Sequence, residues 1–90
     1  MSDVSLIEFY APWCSPCMYM KSVVEKELEN NNEIKLVNIN VDEETEKAVE
    51  HNIRCIPTLL LMKDNSEVGR LIGSHSLEKI REFISTPVGV

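Results

Sequence analysis

Between Tyr10 and Cys17 the spacing of apolar residues changes from that of a strand to that of a helix, and this switch limits the folds open to the chain. Val4 to Tyr10 is a run of β-branched, aliphatic and aromatic residues interrupted only by Ser5 and Glu8, which suits a strand buried on both faces. From about Cys14 to Glu29, residues Cys17, Met20, Val24 and Leu28 recur at helical spacing, while Lys21, Glu25, Lys26 and Glu29 fall off that stripe. Asn30-Asn31-Asn32 ends the helix. Ile34 to Val41 reads as a second strand with Val37, Ile39 and Val41 on one face. A helix of this length between two strands makes them parallel neighbours with a right-handed crossover.

The rest of the chain continues in short elements. Asp42 is placed to cap a helix over 43–51, with Glu43, Glu44 and Glu46 near its positive end, Asn52 as a left-handed terminator, and a small apolar face of Ala48 and Val49. Thr58 to Met62 and Glu67 to Ile72 form an antiparallel hairpin across Lys63-Asp64-Asn65-Ser66, closed by Gly73. Ser76 caps a last helix in which Leu77, Ile80, Phe83 and Ile84 share a face, and Pro87 stops it. The expected fold is α/β: a βαβαββα order with a mixed four-stranded sheet and helices on both faces. Ninety residues leave room for one core, so 1–90 is read as a single domain.

Composition removes several functions. At 43% hydrophobic and 27% charged residues the chain is ordinary for a globular domain. A formal net charge of -6 without a Lys/Arg cluster gives no footprint for nucleic acid or an anionic membrane. Met1-Ser2-Asp3 precedes neither a basic segment nor a span of transmembrane length, so the expected location is cytoplasmic. An odd count of three cysteines fits a reducing compartment better than a secreted disulfide scaffold.

The chemistry lies in Cys14-Ser15-Pro16-Cys17. A Cys-x-x-Cys alone also serves zinc, haem and iron–sulfur sites. Zinc needs three or four ligands, and Cys55, His51 and His75 are single and scattered, so no metal is expected. Because the pair follows a buried strand and opens a helix, Cys14 lies where free N–H groups and the macrodipole favour a thiolate. Pro16 is tolerated in the first turn, where its missing N–H has no partner to lose. Cys17, one turn on, packs inward as the resolving thiol. The expected cycle is attack of Cys14 on a disulfide, a mixed disulfide, and release by Cys17, with no bound cofactor. The plain alternative is two inert buried cysteines.

Phe9-Tyr10-Ala11-Pro12-Trp13-Cys14-Ser15-Pro16-Cys17 resembles the active-site segment of thioredoxins, and Asn52-Ile53-Arg54-Cys55-Ile56-Pro57-Thr58-Leu59 resembles their second signature. The likeness runs from Val4 to about Ile84 and lacks the usual N-terminal strand and helix, as in the short thioredoxins of some archaea and viruses. It implies protein disulfides as substrates, a thioredoxin-reductase-type electron donor and a monomer. It also implies a substrate surface of Trp13, Ser15, Pro16, Ile56, Pro57 and Gly73, with Pro57 cis and lying against the cysteines. Without the resemblance Pro57 reads as a strand-start proline.

The departures from the family are specific. Ser15 replaces the usual glycine and Met18 the usual basic residue, which puts the potential of the dithiol in question. Glu8 stands where thioredoxins commonly carry a buried aspartate, and the lysine often paired with that aspartate appears as Asn38. A carboxyl in this apolar run acts as base for Cys17, or else reaches solvent at a strand end. Cys55 reads equally as a regulatory thiol and as a small residue in a tight loop. Two other functions remain beside protein-disulfide reduction. One is a glutathione-linked, glutaredoxin-like reductase, disfavoured because Gly73-Ser74-His75 lacks paired glycines. The other is a non-enzymatic binding module.

Overall fold

The computed structural model describes residues 3–85. Its elements are β1 (Val4–Tyr10), α1 (Ser15–Leu28), β2 (Ile34–Asn40), α2 (Thr45–Glu50), β3 (Thr58–Lys63), β4 (Ser66–Ile72) and α3 (Leu77–Ser85), the expected βαβαββα order. The strands form one four-stranded sheet in the order β2-β1-β3-β4. β1 pairs parallel with β2 from Val4↔Ile34 to Tyr10↔Asn40, and antiparallel with β3 from Val4↔Lys63 to Phe9↔Thr58. The α1 crossover makes the first pairing parallel, and the tight β3–β4 turn makes the last one antiparallel.

The two inner strands are the most apolar, and alternation along them divides the core between the faces of the sheet. On one face Leu6, Leu59 and Leu61 meet Met20 and Val24 of α1 and Ile80 of α3, all almost wholly buried. On the other, Phe9, Ile39 and Leu60 pack with Ala48 of α2. Helices therefore cover both faces, as expected. Each large side chain removed from water contributes roughly 1.5–3 kcal/mol before entropy is counted, so the layer between α1 and the inner strands is the main source of cohesion.

Local chemistry refines several boundaries. Cys14 is the N-cap of α1 rather than its first residue: its backbone is extended and its Sγ accepts the Cys17 N–H at 3.2 Å. α2 is shorter than the expected 43–51, and Asp42 does not cap it. The cap residue is Glu44, which makes no side-chain capping bond. Val49, expected on the apolar face, is 70% exposed, because a helix of six residues turns only Ala48 fully onto the sheet. Asn52 does adopt the left-handed conformation, at φ 56°.

Met18 points outward at 42% exposure, whereas Met20 is core. The β3–β4 connection is a two-residue turn with Asp64 and Asn65 both at positive φ, the combination that matches the right-handed twist of a hairpin. Ser76 accepts the Lys79 N–H at 3.2 Å, the expected cap. Pro87 lies outside the described residues. Leu61 is packed between both helices, so Leu61→Ala is expected to lower stability by about 2–5 kcal/mol. The exposed Val49→Ala is expected to change it by less than about 0.5 kcal/mol. Urea midpoints at a common m value measure both.

Candidate active site

Strand β1 ends at Tyr10, and a turn closed by the Cys14 N–H donating to the Ala11 carbonyl, 3.1 Å, delivers the chain into α1. Cys14 and Cys17 are joined in a disulfide, with Cα atoms 5.2 Å apart. Their environments differ: Cys14 keeps 8% of its surface exposed and Cys17 none. Ala11 shares their cluster, with Tyr10, Val41 and Ile56 packed against it. Ser15 and Pro16 are exposed in the first turn, and Trp13 stands 71% exposed beside Cys14. The indole is not free to swing. Its N–H donates to Asp42 Oδ2 at 2.8 Å, which occupies the carboxylate expected to cap α2.

Across the pair lies the loop into β3. The Ile56–Pro57 bond is cis and Pro57 is buried. The Gly73 N–H donates to the Pro57 carbonyl at 2.8 Å, and the Thr58 hydroxyl donates to the Cys55 carbonyl at 2.7 Å, so both sides of Pro57 are pinned. Gly73 sits at φ +87°, a conformation that strains any residue with a Cβ. At the loop's origin Arg70 of β4 donates to the His51 carbonyl at 2.7 Å and the Asn52 carbonyl at 3.3 Å, while Glu67 grips its guanidinium. These carbonyls at the end of α2 lack helical partners, and Arg70 satisfies them. Cys55 is a free, exposed thiol in that loop and borders a pocket with Val41, Ala48 and Ile56. Cys14, Cys17 and Ile56 thus come together in one cluster, and Gly73 is tied to Pro57, whereas Cys55 faces outward.

Glu8 is wholly buried on the β1 face that looks toward α1, and neither carboxylate oxygen has a hydrogen-bond partner. It does not reach solvent. Burial pushes its pKa up to about 8; Lys21 pulls against that shift and Glu25 adds to it. A group poised there can hold or release a proton near neutrality. Among the described residues no cluster of three or more His, Cys, Asp or Glu could hold a metal, and no helix is long and apolar enough to cross a membrane.

This fold, with a disulfide opening a helix opposite a cis-proline loop, defines a dithiol–disulfide exchange protein. A sequence model of the thioredoxin family matches residues 1–86, and the chain belongs to that family. It is similar to the thioredoxin of Bacillus subtilis, 37% identical over 83 residues that cover 91% of this chain and 80% of the relative. The thioredoxin of Chlamydia pneumoniae is 32% identical, with 93% and 82% covered. Among solved structures, a mutant thioredoxin from Halobacterium salinarum superposes at a TM-score of 0.85 with 33% identity, covering 93% of this chain and 74% of that one. Fasciola hepatica thioredoxin gives 0.86 with 30% identity, over 92% and 79%. The protein is accordingly a thiol–disulfide oxidoreductase acting on protein disulfides, and a reductase recharges it, as the family does generally.

Two contributors were not visible as such in the sequence. Asp42 looked like a helix cap, and only the fold shows it under Trp13. Lys21 looked like the polar side of an amphipathic helix, yet it lies four residues after Cys17, a spacing that places it one turn along the same side.

The buried carboxyl makes stability depend on pH. Glu8 ionises at its ordinary 4.5 when unfolded and near 8 in the fold, so between these values the folded state holds a proton that the unfolded state has lost. Stability contributed by protonated Glu8 is therefore complete below pH 4.5 and declines as pH rises toward 8, by up to ~1.4 kcal/mol for each step of one in pH. Glu8→Gln is expected to remove this slope. In urea titrations of the oxidised form it should match the parent near pH 4.5 and exceed it by roughly 5 kcal/mol above pH 8.

Proposed function

We propose that Cys14 is the attacking thiol, Cys17 the resolving thiol and Glu8 the group that takes the proton from Cys17. The observation that carries this reading is the asymmetry of the pair: Cys14, the N-cap of α1, keeps 8% of its surface exposed, and Cys17 is fully buried. Only an exposed sulfur can meet a protein disulfide, and the N–H groups at a helix start favour its thiolate. Cys14 S⁻ attacks one sulfur of the substrate disulfide, forming a Cys14–substrate mixed disulfide and expelling the other sulfur as thiolate. Cys17 then loses its proton to the Glu8 carboxylate and attacks Cys14 Sγ. The bond to substrate breaks, two electrons have passed to the substrate, and Cys14–Cys17 is oxidised.

Trp13, Ser15, Pro16, Ile56, Pro57 and Gly73 form the substrate surface in this reading. Support comes from the exposure of Trp13, Ser15 and Pro16, from Ile56 packed against the cysteine pair, and from the bond tying Gly73 to Pro57. We further take residues 1–90 as one working domain, acting as a monomer in the cytoplasm with a thioredoxin-reductase-type donor. The free Cys55 suits a reducing compartment.

The test is turnover of a protein disulfide with thioredoxin reductase and NADPH, against glutathione and its reductase. Cys14→Ser is expected to abolish turnover, and Cys17→Ser to accumulate mixed disulfides with partner proteins. Glu8→Gln is expected to slow release of reduced substrate by about 10²-fold, the low end of general acid–base effects, and to lose its pH dependence. Turnover only with glutathione would point instead to a glutaredoxin-like activity.

A further inference from the structure

The buried Glu8 carboxyl needs a counter-charge if it is to be an anion for even part of the catalytic cycle. Its register partners on the flanking strands, Asn38 of β2 and Leu59 of β3, carry none. Asn38, where thioredoxins often bring a lysine, is moreover exposed. The charged side chains that act on Glu8 come from α1, and they are Lys21 and Glu25. Lys21 is held between two groups. Its Nζ donates to Glu25 Oε2 at 2.8 Å and stands 5.9 Å from the centre of the Tyr10 ring, and its side chain is only 24% exposed, against 47% for Glu25. Tyr10 in turn packs on the cysteine cluster.

We propose that Lys21, presented from α1 and clamped between Glu25 and Tyr10, is the positioning cation of the Glu8–Cys17 proton-transfer site, in place of a cation on the neighbouring strand. A plain surface i,i+4 ion pair would leave both partners in water. Lys21 instead lies one turn beyond Cys17, with its ammonium against the ring of Tyr10, which shares a face of β1 with Glu8. Glu25, Tyr10 and Glu8 all raise its pKa, the bond to Glu25 most, so it stays charged throughout the range in which Glu8 titrates. Its field lowers the pKa of Glu8, opposing the larger upward push of burial. Removing the charge makes Glu8 a scarcer carboxylate near neutrality and delays deprotonation of Cys17. This inference rests on Glu8 as the proton acceptor.

The experiment follows Glu8 directly, by carboxyl ¹³C NMR of the reduced protein over pH 5–10. It also follows function, by stopped-flow release of thionitrobenzoate from its mixed disulfide with Cys14, in a Cys55→Ser background. Lys21→Gln, and Lys21→Met, which keeps the aliphatic stem, are expected to move the Glu8 midpoint upward. They should slow release at pH 7 by up to about tenfold, the loss of carboxylate when the midpoint rises from 8 to about 9, with the release profile displaced to higher pH. Lys21→Arg is expected to keep both near the parent. Asn38→Lys added to Lys21→Gln is expected to restore both by supplying the charge from β2. An unmoved Glu8 midpoint in Lys21→Gln and Lys21→Met overturns the proposal while leaving Glu8's own role standing. A moved midpoint with an unmoved release profile overturns the proton-acceptor role of Glu8, and the role of Lys21 with it.

Discussion

The rest of the structure depends on strand β1 being buried on both faces and hydrogen-bonded on both edges. It pairs with β2 on one side and β3 on the other, so seven consecutive residues are fixed in direction and register. One face supplies Leu6 to the layer under α1 and α3, and the other supplies Phe9 to the layer under α2. A strand so constrained cannot slip by one residue without turning Glu8 and Leu6 onto the opposite face, which makes the placement of the carboxyl part of the sheet's register. Because the strand stops at Tyr10 and α1 begins at Ser15, the cysteine pair is held at the exit of a strand paired on both edges.

Rigidity at the pair is matched by restraint of the loop facing it. Pro57 lacks an N–H to pair with a neighbour, yet its carbonyl is taken by Gly73, and the chain on its other side is held through Thr58. Arg70 extends this restraint to the end of α2 by binding two carbonyls with one guanidinium that Glu67 already orients. A bidentate pair of this kind costs less side-chain entropy per bond than separate contacts would. The exchange site is thus framed by backbone groups with little freedom, while the side chains exposed around it, Trp13 and Pro16, belong to the surface a partner would meet.

Most of this architecture was legible from periodicity. The stripe Cys17, Met20, Val24 and Leu28 is the buried face of α1, and the runs in β1 and β3 are the inner strands, because a sheet covered on both faces demands nearly continuous apolarity there. Short elements were less legible. In α2 only Ala48 is buried, so pattern could not locate its ends, and Asp42 offered a convincing cap while its carboxylate was committed to an indole 29 residues earlier. Contacts of that kind carry no local signature. Within the site, the cysteines and Pro57 announce themselves by residue type and spacing. Lys21 does not, because a lysine on a helix flank looks the same in sequence whether it faces water or a buried acid.

On the proposed reading of Glu8 as the base for Cys17, its pairing with Asn38 calls for a cation supplied from the helix. A buried carboxylate without hydrogen bonds is among the most costly groups a core can hold, and the fold tolerates it by keeping the proton on over most of the physiological range. That solution serves stability, but with Glu8 as the proposed base it would leave little carboxylate for Cys17 if nothing opposed it. The sheet offers no opposing charge, since Glu8 is flanked in register by an amide and a leucine. The helix that carries Cys17 packs on the face of β1 that bears Glu8, and a residue one turn beyond Cys17 falls on the same side of that helix. Anchored by Glu25 and Tyr10, the Lys21 ammonium remains partly in water, which limits its own desolvation cost, while its charge lowers the pKa of Glu8. The acid and its cation can therefore be distributed between strand and helix without altering the fold, provided both face the layer in which Cys17 is buried.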